Sequence, residues 1–237
     1  MAKTAVAKME STDFENKTAQ EVLQWALETY HPKITCASSF GAEDVVVIDM
    51  LVKIRKDARI FTLDTGRLPQ ATYDVMQALM DKYGIKFEVY HPKADAVEEM
   101  VSQQGPNLFY ESIENRKRCC GVRKMEPLSR ALKGMEAWIT GLRREQAVTR
   151  TDTPRVEIDK SQGGIVKVNP IIDWTTDQTW DYIKKNKVPY NKLHDQGYPS
   201  IGCEPCTRAI KPGEDLRAGR WWWESPEYKE CGLHLKK

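Results

Sequence analysis

Six cysteines carry most of the chemistry legible in this sequence, and four of them form two pairs. One pair is adjacent, Cys119-Cys120; the other is the spaced Cys203-Glu204-Pro205-Cys206. A C-x-x-C turn aims two thiolates in one direction and suits a metal. Adjacent side chains on a helix diverge by about 100°, so Cys119 and Cys120 converge poorly on one zinc ion. An iron–sulfur cluster offers separate iron corners to such thiolates, and four cysteines are the ordinary ligand set of a [4Fe–4S] cluster. Structural zinc has the same ligand count and is the alternative. A disulfide between neighbouring residues would be strained.

The other two cysteines differ. Cys36 sits in an apolar run and reads as a small core residue. Cys231, in YKECGLHLKK, is a lone thiol close to the end of the sequence, followed by Gly232, which would let that segment swing. Its functional reading is a nucleophile that visits a site; the bland one is an incidental exposed cysteine. A reactive thiolate needs positive neighbours, and Arg217, Arg220 and His234 are the candidates. Lys124 follows Cys120 by four positions, on the same face if the segment is α-helical. It could offset the charge of a thiolate-bound centre and reach an anionic substrate. Arg143, Arg144, Arg150, Arg217 and Arg220 lie in turn and arm segments, where guanidinium groups match phosphate or sulfate oxygens; each alone is as readily a solvated surface residue. Of Trp221-Trp222-Trp223, at least two are expected to anchor the arm to the core, with one ring left to stack on a base or cover the site. His31, His91 and His194 share no ligand spacing and read as structural or surface residues.

These residues need a scaffold, and the periodicity supplies one. Residues 13–30 read as an amphipathic helix with Val22, Leu23, Trp25 and Ala26 on its apolar face. Then strands alternate with helices: KITCAS and a helix through VVVIDMLVKI; Arg59–Leu63 and a helix over 70–83; Lys86–Tyr90 and a helix over 94–103; and Ala137–Thr140. That alternation predicts a parallel, twisted α/β sheet flanked by helices, with ligands beyond the strand C-termini. The turns 39–44, 64–67 and 141–144 should therefore share one crevice. Ser38, Ser39 and Gly41 precede a helix start, whose backbone N–H groups favour an anion. Residues 156–168 read as a hairpin turning at Gly163-Gly164, and 175–187 as a helix capped at Thr175 or Thr176. From Pro189 a Gly-, Pro- and Trp-rich stretch forms an extended C-terminal arm. We expect a single domain over 1–237: an N-terminal helical segment (1–30), a nucleotide-binding α/β core (33–150), and the hairpin, helix and arm (151–237).

Composition narrows the class. With 41% hydrophobic and 30% charged residues the chain is neither disordered nor membrane-embedded. A formal charge of +2 gives no basic surface for nucleic acid. No apolar run suggests a secretory signal or a membrane span, so a reducing cytoplasmic setting is expected, where cysteines serve metals or catalysis.

The combination CCGVRK, SIGCEPC, PGEDLRAGRWWWE and ECGLH resembles the adenylyl-sulfate (APS) reductases, which group with the phosphoadenylyl-sulfate (PAPS) reductases. The similarity runs from about Ile34 to Leu235. It implies an adenine-nucleotide α-hydrolase-like fold, with SFGAED as the modified phosphate loop and LDTGRLP facing the nucleotide. It implies that Cys119, Cys120, Cys203 and Cys206 hold a [4Fe–4S] cluster and that Cys231 is the nucleophile. Lys124, Arg150, Arg217 and Arg220 would contact the phosphosulfate, with His234 nearby on the tail as a further substrate-binding residue, and Ser38, Ser39, Leu63 and Gly141 would line the nucleotide. The implied reaction reduces adenylyl sulfate to sulfite and AMP through an S-sulfocysteine, in sulfate assimilation and cysteine biosynthesis; a PAPS or dual-substrate reductase is the alternative. Without a fused thioredoxin-like domain the expected electron donor is a separate thioredoxin or glutaredoxin, and a homo-oligomer is compatible with the sequence.

Overall fold

The computed structural model describes residues 13–146 and 150–225. Helix α1 (Ala19–Tyr30) starts later than its apolar pattern suggests, because Thr18 and Glu21 form a reciprocal capping box there. Phe14, just before it, packs edge-on against Trp25 instead of joining the helix. Strand β1 (Ile34–Ser38) leads into α2 (Ala42–Ile54), β2 (Ile60–Leu63) into α3 (Gln70–Tyr83), and β3 (Glu88–Tyr90) into α4 (Ala94–Gln104). The chain continues through α5 (Ile113–Cys120), a π-helical turn at Gly121–Met125, α6 (Glu126–Ala131) and β4 (Ala137–Ile139). The hairpin β5 (Val156–Asp159) and β6 (Ile165–Val168) and helix α7 (Thr176–Asn186), capped by Thr175, complete the elements.

The six strands form one sheet in the order β3-β2-β1-β4-β6-β5. All neighbours are parallel except β5 and β6. Gly163 and Gly164 turn that hairpin at φ of +78° and +79°, a conformation open chiefly to glycine. The hairpin also enlarges the sheet, because β6 pairs with β4 from Ala137–Val166 to Ile139–Val168; its turn signal alone did not reveal this. Helix α2 carries apolar side chains all round, with Val45 to Ile48, Met50 and Leu51 all buried, so it lies inside the protein against α1, α7 and the sheet. Its Asp49, 1% exposed, accepts from the hydroxyls of Tyr83 and Tyr182 at 2.7 Å and from Lys53 at 2.6 Å, which rivets α2 to α3 and α7. Cys36 is buried in this core, as its run of neighbours predicts. No helix among the described residues is long and apolar enough to cross a membrane.

The topology places the site. From β1 the sheet grows through β2 to β3, then the chain returns to lay β4 on the other side of β1. Between the C-termini of β1 and β4 the connections therefore diverge, and a crevice opens at such a switch point.

Candidate active site

Two turns form the floor of that crevice. After β1 the chain bends through Phe40, which adopts φ +59°, while the Phe40 N–H donates to Ser38 Oγ at 3.0 Å. Asp44, in the first turn of α2, folds back and accepts from the Ser39 N–H at 2.6 Å and its hydroxyl at 2.8 Å. After β4, Gly141 passes directly over this carboxylate. A Cβ there would stand 2.5 Å from Asp44 Oδ1 and 3.1 Å from the Asp44 backbone nitrogen, so only glycine permits the approach. Burial pushes the Asp44 carboxyl up to about 6, against the pull of its Ser39 hydrogen bonds. Folding therefore tightens proton binding at this group, and its contribution to stability falls as pH rises from its unfolded value near 4 to about 6. We expect Asp44→Asn to gain on the parent by about 2 kcal/mol in unfolding free energy between pH 4 and 8. Paired urea melts at the two pH values measure this difference; an unchanged gap contradicts it.

The crevice gathers residues from distant segments. Ser38 at the end of β1 and Ser39 just after it, Leu63 at the end of β2 and Gly141 after β4 line one side. Lys124, Arg150, Arg217 and Arg220 line it from the π-helical turn, the segment before β5 and the arm. All eight of these sequence-derived candidates thus share one cavity. Two other arginines do not serve it as anion ligands. Arg143 is 3% exposed and is bound to Glu43 (Nε–Oε1 2.9 Å) and Glu145 (2.9 Å), and Arg144 pairs with Glu15 at 3.0 Å. Nearby carboxylates already neutralise them. Two of the tryptophans are anchors, with Trp221 1% exposed and Trp223 packed on Tyr110 at 4.4 Å, whereas Trp222 is 39% exposed; none of the three lines the crevice. His194, read from sequence as structural or surface, lines the crevice wall, its Nδ1 2.8 Å from the Tyr198 carbonyl. Cys231 and His234 lie outside the described residues.

The paired cysteines meet beside this crevice. Cys119 and Cys120 end α5, while Cys203 and Cys206 bracket a single 3₁₀ turn closed by the Cys206 N–H on the Cys203 carbonyl at 3.0 Å. All four free thiols line one smaller cavity. Lys124 does not follow Cys120 along an α-helix as its spacing suggests, because the intervening turn is π-helical, with wider i→i+5 closure. That turn brings Lys124 to the wall of both cavities, and Arg220 is shared in the same way.

Further contacts here have no local sequence signal. The Thr65 hydroxyl lies 3.2 Å from Cys203 Sγ, 138 positions away. Arg123 donates to the Thr65 carbonyl at 2.6 Å and hydrogen-bonds Cys119, and Arg116 hydrogen-bonds Cys120. Burial, then the neighbouring Cys203, pushes the Cys206 thiol up to about 12, and burial raises Cys119 too. Such thiols keep their protons at neutral pH unless a metal displaces them. Among the described residues no three His, Cys, Asp or Glu side chains converge as a single ion requires. The four sulfurs surround a space instead, with cations close by.

Residues 33–209 match the family model described as the phosphoadenosine phosphosulfate reductase domain. The chain is 53% identical over 204 residues to a protein of Allochromatium vinosum named adenosine 5'-phosphosulfate reductase, covering 86% of this chain and 79% of that one. It is 52% identical to a protein of the same name from Burkholderia cepacia, covering 86% and 82%. The crystal structure of phosphoadenylyl-sulfate reductase from Candida auris, a phosphate complex, superposes with a TM-score of 0.71 at 33% identity, covering 83% of this chain and 92% of that one. Candida glabrata FMN adenylyltransferase shares the fold at a TM-score of 0.56, with 11% identity and coverage of 99% and 82%.

Proposed function

This chain belongs to the phosphoadenosine phosphosulfate reductase family, and we propose that it reduces adenylyl sulfate to sulfite and AMP, with a [4Fe–4S] cluster held by Cys119, Cys120, Cys203 and Cys206. One observation carries the proposal: the cysteine cavity and the nucleotide crevice share Lys124 and Arg220 as a common wall. Four soft donors spread around a space fit a multi-iron cluster better than one zinc ion, and Thr65, Arg116 and Arg123 supply hydrogen bonds or positive charge to the sulfurs. When bound, the cluster supplies a fixed local charge that orients and tunes the groups around it.

The chain's own residues do the rest. The turn around Ser38, Ser39 and Gly141, with Leu63, receives the adenosine part. Lys124, Arg150, Arg217 and Arg220 hold the phosphosulfate oxygens, with His234 joining from the C-terminal segment. The Cys231 thiolate attacks the sulfur; a sulfur–sulfur bond forms, the sulfur–oxygen bond to phosphate breaks, and AMP leaves with that electron pair. A thiolate of reduced thioredoxin or glutaredoxin then attacks Cys231 Sγ, and sulfite leaves with the bonding pair. The partner's second thiol resolves the mixed disulfide, so the partner dithiol has supplied two electrons and Cys231 is regenerated. A cytoplasmic setting keeps such a donor reduced.

A PAPS or dual-substrate enzyme is the second reading, favoured by the 33% identity to the Candida auris protein. An anaerobic assay with reduced thioredoxin decides between them. We expect turnover of adenylyl sulfate to exceed that of its 3'-phosphorylated form by at least about tenfold in kcat/KM. Equal rates, or the reverse order, contradict the assignment.

A further inference from the structure

The ion pair between Arg116 and Glu224 is unlike the surface pairs of this protein. Its side chains are 1% and 3% exposed, and the partners stand 108 positions apart. Two parallel bonds join them, Nε to Oε1 at 2.9 Å and an NH2 nitrogen to Oε2 at 2.8 Å. Burying two charges is expensive, so such a pair contributes geometry more than stability. Arg116 also stacks over Trp221 with Cζ 4.8 Å from the ring centroid, and Arg220 covers the same ring at 4.8 Å. Trp221 itself adopts φ +42°, a left-handed conformation that a bulky residue keeps only when its surroundings impose it. The Trp221 N–H donates to the Cys206 carbonyl at 3.2 Å, and the Glu224 N–H closes the turn on the Trp221 carbonyl at 2.9 Å. The last described turn is therefore pinned to α5 on one side and to the C-x-x-C turn on the other.

We infer that the Arg116–Glu224 pair anchors the origin of the C-terminal segment on the cysteine cavity, and that both are positioning residues for Cys231. This rests on the reading of Cys231 as the nucleophile. Seven positions separate Glu224 from Cys231, a span of at most about 25 Å when fully extended. The place where Glu224 is held thus bounds how far from the cysteine cavity Cys231 can act. The same turn orients Arg220, which walls the crevice, so one anchor aligns the nucleophile's origin with an anion ligand. Arg116 joins this turn to Cys120 through its contact with that sulfur.

The test is a single turnover with adenylyl sulfate and no reductant, following by mass the sulfonated peptide that contains Cys231. Iron content, melting temperature and a limited tryptic map are read on the same samples. Glu224→Gln keeps the shape and removes the charge. We expect adduct formation at saturating substrate to slow about tenfold or more, with iron content unchanged and a new tryptic cut after Arg217 or Arg220. Arg116→Lys keeps the charge but loses the two-pronged bond and should show a smaller slowing in the same direction. Adduct formation within twofold of the parent in Glu224→Gln, with the tryptic map unaltered, overturns the anchor alone. Slowing that only tracks loss of iron or of melting temperature in both variants also overturns it. If the parent forms no adduct on Cys231, the nucleophile assignment falls and the anchor falls with it.

Discussion

Replacing Cys231 with serine removes sulfite production, by a factor on the order of 10³ or more, while leaving iron content and nucleotide binding in place. The reason is the chemistry of the attacking atom. A thiolate is available near neutral pH and is polarisable, whereas a serine hydroxyl needs a dedicated base to become a nucleophile. The sulfur–sulfur bond it would form is also what the partner dithiol later breaks; a serine sulfate ester offers no exchangeable sulfur. The crevice residues Lys124, Arg150, Arg217 and Arg220 are untouched by the change, so affinity for AMP should stay within about twofold. The measurements are sulfite release under anaerobic conditions and mass analysis of the sulfonated chain. Sulfite formation at a comparable rate in Cys231→Ser would remove that residue from the reaction and return attention to the crevice itself.

The second large effect belongs to Cys203. Cys203→Ser should lose most bound iron and labile sulfide and lower turnover by about 10²-fold or more, since even outer contacts of a metal site are worth 10- to 100-fold. Cys203 is 9% exposed, its sulfur lies 3.2 Å from the Thr65 hydroxyl, and it opens the turn that carries Cys206. A harder serine oxygen there is a poor partner for iron in a sulfide core. Cys36→Ser is the matched control: it also replaces a buried thiol, but on β1 within the main core, away from the cysteine cavity. It should cost about 1–3 kcal/mol of stability and keep its iron. Iron and acid-labile sulfide analysis under strict exclusion of oxygen checks both variants. A colourless parent containing zinc in place of iron would sink the cluster assignment for all four cysteines.

Which of these features were legible before folding follows from how far apart their partners lie. The helix over 70–83 and the hairpin of 156–168 were readable because period and turn chemistry act within a few residues. The cap at Thr175 is a contact over three positions. The same holds for the C-x-x-C turn. Arg143 and Arg150, by contrast, looked equivalent. Arg143 is taken by Glu43, 100 positions away, while Arg150 faces the crevice. The π-helical turn that aims Lys124 carries no simple pattern, since nothing in the run Gly121–Met125 marks the wider i→i+5 closure it adopts.

By itself, then, the order of residues determined the alternation of strands and helices, the two thiol pairs, the lone Cys231 and the glycine turns, all of which are local. Tertiary structure alone decided which cations line the crevice. It decided that β6 joins β4, that Gly141 lies against Asp44, that Thr65 reaches Cys203, and that Arg116 reaches Glu224. Each of these depends on which groups the sheet brings within a few ångströms across long stretches of chain. Periodicity shows which face of an element is apolar, but a buried charge or thiol is matched to its partner only when distant elements pack and exclude water between them.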